Sequence, residues 1–311
     1  MNGPVDRSAQ ELSLRNAAVV ALGIGLMAGI HSSSAAQDRV IVQSLNSGSG
    51  KLGIAGSIEE FSGERIVVRE PDGKQVRVLL PDQYRLLEVE TRHSPEYDAG
   101  LQAYQAGKFD EARKQWEQAV SKEDRRWMRR EILAWLVRCA LAQEDLASAG
   151  NRCLKILESD PRSPHLALLP LKWWPGEEVS SPLLTQAAAW MNEESEPARL
   201  LGASYLLEEG RRSADAKAVL NELSRSTDVR IRSWATIQLW RIPLQEKTPG
   251  EPQLQLWQQQ WKELPTDLRS GPALLLGHAL SEKMPDHHDQ YQRRTHVPLL
   301  PDRLYADRGS G

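Results

Sequence analysis

The sequence predicts a mainly α-helical protein: an α-solenoid of stacked helix pairs preceded by a small all-β domain. Three observations carry that expectation. Short runs of alternating apolar residues crowd into residues 37–93, the period of half-buried strands. From Ser94 onward apolar residues recur three and four apart, which is one face of a helix. The helical stretch also repeats itself, at a shift of 37 residues and, farther on, of 32. Composition agrees, with 40% hydrophobic and 26% charged residues in 311, an ordinary globular chain. The 39 Lys and Arg stand against 42 Asp and Glu, which argues against a nucleic-acid partner held by clustered cations.

The first 36 residues read as an address. Arg7 and Arg15 precede an apolar run from Ala17 to Ile30, and Ser34 and Ala36 supply the small residues of a secretory cleavage site. Fourteen helical residues reach only about 21 Å, short of the ~30 Å hydrocarbon core, so cleavage near Ala36 is expected rather than an anchor. No Cys lies near this point, which excludes a lipid anchor there, and no later run reaches the ~18 apolar residues of a spanning helix. The expected location is extracytoplasmic, periplasmic or secreted. That compartment permits a Cys139–Cys153 disulfide, but two buried thiols, packing as small apolar side chains, are the favoured reading.

Residues 37–93 contain five expected strands. They are Val40-Ile41-Val42, Gly53 to Phe61, Ile66-Val67-Val68, Val76 to Leu80 and Leu86 to Val89, with a hairpin turn at Pro71-Asp72-Gly73. Five such strands suit a small SH3-like or Sm-like barrel. The segment carries 8 basic and 9 acidic groups and only Phe61 and Tyr84 as aromatics, so it lacks a stacking groove for single strands. A structural cap or docking module is the plainer reading. The Ser47-Gly48-Ser49-Gly50-Lys51 stretch lacks both the first Gly and the hydroxyl of a phosphate-binding loop and reads as a flexible loop.

Ser94 is a good N-cap with Pro95 next to it, Gly107 fits a left-handed helix end, and Asp110 is the expected cap of a second helix. Gly100, Ala103, Phe109, Ala112, Trp116 and Ala119 overlay Val137, Ala140, Leu146, Ala149, Cys153 and Ile156 at the shift of 37. Small residues recur at Ala112 and Ala149, where two helices must approach closely. This pattern resembles the tetratricopeptide repeat, with the second unit (ending at Pro161) lacking the central Gly. Residues 94–164 are thus expected to form two such pairs. Within 165–282, Ala198 to Leu207 overlays Arg230 to Leu239 at a shift of 32, with a stripe of Ala216, Val219, Leu220 and Leu223 between them, and further helices are expected at Leu254–Leu264 and Ala273–Ser281. Repeats of this period read as tetratricopeptide- or HEAT-like. Residues 283–311 show little periodicity and are expected to be irregular.

Together with the leader and the β segment, Arg125 to Leu133, Leu200 to Ser204 and Gly271-Pro272 with Leu275-Leu276-Gly277 resemble an uncharacterised family of exported tetratricopeptide-repeat proteins from planctomycete bacteria. The resemblance carries over no catalytic residues, and no cofactor is expected. In tetratricopeptide repeats the first helix of each pair lines a groove, which places Tyr97, Leu101 and Tyr104, then Glu131, Arg138 and Leu141, as contacts for a polypeptide partner.

Two further patches carry binding chemistry. Residues 113–130 hold seven basic groups against three acids, with Arg125, Arg126, Arg129 and Arg130 beside Trp127, a surface for an acidic partner or simply a solvated face. Most of the ten Trp residues sit at helical spacing and read as core. Trp173-Trp174-Pro175-Gly176 is a turn, where an exposed Trp pair suits a sugar ring or a Pro-rich peptide. His278, His287, His288 and His296 match no zinc spacing, so no metal is expected. Motifs for hydrolase, metalloprotease and dinucleotide chemistry are missing. The sequence therefore points to a non-enzymatic, exported scaffold that binds another protein of the cell envelope. An envelope module reading a glycan or peptide through the β domain or the Trp173-Trp174 turn is the alternative.

Overall fold

Five strands open the fold: β1 (Asp38–Ser44), β2 (Lys51–Phe61), β3 (Ile66–Arg69), β4 (Val76–Leu79) and β5 (Tyr84–Glu90). Each expected run forms one. The structure is a computed structural model that describes residues 38–46, 50–246 and 249–281. The expected leader, residues 47–49 of the expected loop, the tail from 283 and three of the four histidines lie outside the described residues.

The strands make one antiparallel sheet in the order β4-β3-β2-β1-β5. Val40 lies between Ile54 and Val89 in register, and all three are buried. Gly73 takes the left-handed conformation (φ 69°) that the Pro71-Asp72-Gly73 turn requires, and the Asp72 carboxylate accepts from the Lys74 amide at 2.9 Å. The expected barrel does not close: β4 and β5 stand at opposite edges of the sheet. The apolar face is covered by helices instead. Val40, Ile54, Ile58, Val68 and Leu79 share one hydrophobic cluster with Tyr97, Trp116, Trp127 and Ile132. On β4 only Leu79 turns inward, while Val76 and Val78 are 44% and 49% exposed, so this edge has little apolar surface to drive closure.

The chain then folds into α1 (Pro95–Gln105), α2 (Phe109–Lys122), α3 (Arg126–Ala142) and α4 (Leu146–Ser159). Ser94 caps α1 as expected, its hydroxyl accepting from the Tyr97 amide at 3.2 Å. Asp110 does not cap α2. The helix starts two residues earlier, after Lys108, and Asp110 accepts instead from Arg113 and Gln143.

The shift of 37 residues is visible in the backbone. Gly107 (φ 72°) ends α1 and Glu144 (φ 58°) ends α3, in the same left-handed conformation. After Gly107, the Lys108 amide bonds the Ala103 carbonyl. After Glu144, the Asp145 amide bonds the Ala140 carbonyl. The second turn keeps the geometry without the glycine, and Glu144 bears the strain of a side chain at positive φ. Ala112 and Ala149 are both fully buried. Close approach recurs nearby: a Cβ on Gly100 would meet the Trp116 ring at 2.6 Å, and one on Gly150 the Trp190 ring at 2.7 Å.

A 3₁₀ turn (Pro164–Leu168) leads into a strap, residues 169–180, without regular structure. Beyond it come α5 (Ser181–Met191), α6 (Glu196–Leu206), α7 (Ser213–Leu223), α8 (Val229–Gln238), α9 (Arg241–Glu246), α10 (Glu251–Glu263) and α11 (Ser270–Ser281). From α1 to α4, and again from α5 to α8, each helix packs chiefly on its neighbours in the chain. Ala203 and Ala235, matched at the shift of 32, are both fully buried. Seven of the ten Trp residues are buried core, as expected from their spacing; Trp173 and Trp261 are half-buried and Trp174 is exposed. Cys139 and Cys153 are free and buried, and burial pushes their thiols up to about 11 and about 12. Among the described residues no helix is long and apolar enough to cross a membrane.

Candidate functional site

The six expected groove residues divide by burial. Tyr97 is interior: its hydroxyl accepts from the Trp135 indole at 2.9 Å, its ring stacks on His93 at 4.0 Å, and burial raises its phenol far above the ordinary range. Glu131 is also interior, with its carboxylate 2.8 Å from His165 Nε2. Neither is a groove contact. A buried carboxylate needs a partner, and the 3₁₀ turn after α4 supplies one. The other four stay half-buried at the surface: Leu101 and Tyr104 from α1, Arg138 and Leu141 from α3. Trp135 gathers part of this set. The Arg138 guanidinium lies 4.6 Å above its ring, and Tyr104 meets it edge-on at 5.4 Å. Tyr104 of α1 and Arg138 of α3 thus meet at Trp135, whereas Leu101 packs against the cluster that includes the sheet and Leu141 against the other helical cluster.

The expected basic patch is split. Arg125 and Arg130 are fasteners between sheet and helices. Arg125 bonds Glu123, the Thr91 hydroxyl and the Arg92 carbonyl, and its charge and hydrogen bonds outweigh burial to hold the Glu123 carboxyl below its usual range. Arg130 is buried and donates to the Phe61 carbonyl at 2.5 Å, with Asp160 at 3.9 Å. The Trp127 indole between them donates to the Ile58 carbonyl at 3.2 Å. Arg126 and Arg129 are exposed, and Arg125 is part-exposed. Two of the four cations are thus committed to the fold, because the Phe61 carbonyl at the end of β2 and the Arg92 carbonyl after β5 need donors.

The Trp173-Trp174 turn is the tip of the strap, and it does not expose a Trp pair. Trp173 packs edge-on against Trp234 at 6.0 Å and occupies the space that a Cβ on Gly271 would need, whereas Trp174 is 42% exposed beside His278. Beneath the tip lies a polar network that sequence reading missed. Arg241, with no exposed surface, bonds Glu208 Oε1 through Nε at 2.9 Å and through Nη2. Its Nη1 donates to the carbonyls of Lys172 (3.0 Å) and Ser204 (2.6 Å) and to Gln238 (2.9 Å). Lys172, also buried, donates through Nζ to Glu208 at 2.8 Å and to the Glu177 carbonyl at 2.6 Å. The Gly176 amide reaches Glu208 at 3.0 Å, and the Tyr205 hydroxyl donates to the Pro170 carbonyl at 2.6 Å. Burial alone would raise the Glu208 carboxyl. The charge of Arg241 and the bonds from Lys172, Gly176 and Arg241 outweigh it and hold the group below its ordinary value. Burial lowers Arg241 in turn, against the pull of Glu208, and a guanidinium remains charged there.

Among the described residues no group of His, Cys, Asp and Glu is arranged to hold a metal ion. Comparison with protein-family models, curated proteins and solved structures gave no match.

Proposed function

We propose that this protein is an exported, non-enzymatic scaffold whose stacked helix pairs form a tetratricopeptide-like solenoid that holds another polypeptide of the cell envelope. The Arg138–Trp135–Tyr104 group is the observation that carries the reading. A cation fixed over a buried ring loses little side-chain entropy on binding, and an adjoining half-buried Tyr ring adds contact area. Leu101 and Leu141 extend the surface along the first helices of both pairs. Arginine and tyrosine in such a setting are the usual anchors of protein interfaces.

The test is co-purification of the full chain from its native envelope. Arg138→Glu should abolish recovery of the partner while far-UV circular dichroism and the melting curve stay close to wild type, because Arg138 caps Trp135 from outside. Tyr104→Ala should weaken recovery with some loss of stability. Lys114→Glu, on the exposed side of α2, should leave recovery unchanged. Full recovery with Arg138→Glu would remove the groove from the account.

A further inference from the structure

The last described helix, α11, carries no Asp, Glu, Lys or Arg. Leu275, Leu276 and Ala279 turn into the hydrophobic cluster that holds Trp240 and Trp257. The opposite side, formed by Ala273, Leu274, Gly277 and His278, is apolar apart from one imidazole. A helix that is apolar all round belongs inside a protein, and a solenoid normally ends on a helix with a polar outer face. The outer side of α11 therefore calls for a cover. A Cβ on Gly277 would meet nothing within 4 Å among the described residues, which leaves an open bed on the helix. Trp174 forms its rim, exposed and with its ring 5.1 Å from that of His278. The rim is held in place, because the neighbouring Trp173 ring fills the space of a Cβ on Gly271 at the start of α11 and packs edge-on against Trp234.

We propose that the surface of Trp174 and α11 is a docking site for this chain's own Pro298-Leu299-Leu300-Pro301 segment. Prolines three apart fall on one edge of a polyproline II helix, the form in which aromatic-lined grooves take Pro-rich chains. Trp174 and His278 supply the rings, and Ala273, Leu274 and Gly277 an apolar floor that matches the two leucines. Charge agrees with this. Arg293 and Arg294 precede the segment and Asp302 and Arg303 follow it, but no charge falls within it, as none falls within α11. Reach agrees as well. Residues 282–297 separate α11 from Pro298, and a linker of that length spans about 20 Å on average. The 12 residues of α11 are about 18 Å long, so the linker can return the segment along the helix it leaves. A second copy of the chain fits less well, because one helix side and one indole fall short of the ~800 Å² per partner of a standard interface. A tethered segment needs less contact, since its linker holds it at a millimolar effective concentration. The site lies away from Tyr104 and Arg138 and does not depend on the groove.

Hydrogen exchange of the full chain, read by mass spectrometry, tests the contact. The α11 amides should exchange roughly tenfold faster in the L299D/L300D double variant than in wild type, because the charges cannot enter an apolar bed. Trp174→Ala, which leaves the segment itself untouched, should speed the same amides, and those of α2 should not change in either variant. Tenfold dilution of the wild type should leave α11 protection as it was, since a tethered contact does not depend on protein concentration. Equal α11 exchange in wild type and in either variant overturns the proposal. Protection that is lost on dilution also overturns it and assigns the surface to a second copy.

Discussion

The junction between the sheet and α3 and the junction between the strap and α6, α8 and α9 are closed by the same device. In each, arginines reach carbonyl oxygens about 70 or fewer residues away in the chain: Arg130 to Phe61 and Arg125 to Arg92 in the first, Arg241 to Lys172 and Ser204 in the second. They differ in access to water. Arg125 is part-exposed and Arg130 sits at the edge of burial, with its carboxylate neighbour Asp160 as far off as 3.9 Å. Arg241 has no exposed surface and is bonded to Glu208 through two nitrogens. Where water can replace a lost donor, an arginine fastener is worth little more than one hydrogen bond. Where it cannot, removing the donor strands every acceptor it served.

Substitution at the deep junction should therefore do the most damage. Arg241→Ala leaves Glu208 with Lys172 as its one cationic partner and orphans two carbonyls, and urea unfolding should show a loss of about 3–5 kcal/mol. The same network sets an acid limb. Because the folded Glu208 carboxyl lies below its unfolded value of about 4.3, its contribution is complete above that pH and disappears as pH falls through the folded value. Wild type should lose stability over that window, and Arg241→Ala should lose less of it. Equal acid limbs in both would break the comparison at its deep end. A smaller effect is expected at the shallow junction, where Arg130→Ala should cost about 1–3 kcal/mol in the same assay. A loss there as large as at Arg241 would mean that burial is not what separates the two.

Much of this fold is legible in the residues. The five alternating runs became five strands, and Ser94-Pro95 became a capped helix start. The 37-residue shift survives even in the left-handed turn at Glu144, where no glycine announces it. Barrel closure was not legible, because alternation fixes which residues face inward but not whether two edge strands meet. The strap network was hidden for a different reason. Lys172, Ser204, Glu208, Gln238 and Arg241 are scattered over some seventy positions, and a buried glutamate reads in sequence like any solvated one. Tyr97 and Glu131 erred the other way: their repeat positions suggested a lining, but the partners that bury them, Trp135 and His165, lie 38 and 34 residues on.

The scaffold reading is tested most directly by a photo-reactive side chain placed at Leu101 and, in a second strain, at Lys114, with irradiation of cells making the full chain. The account predicts one discrete adduct of higher mass from position 101 and none from position 114. Equal labelling at both positions, or an adduct from 114 alone, would contradict it.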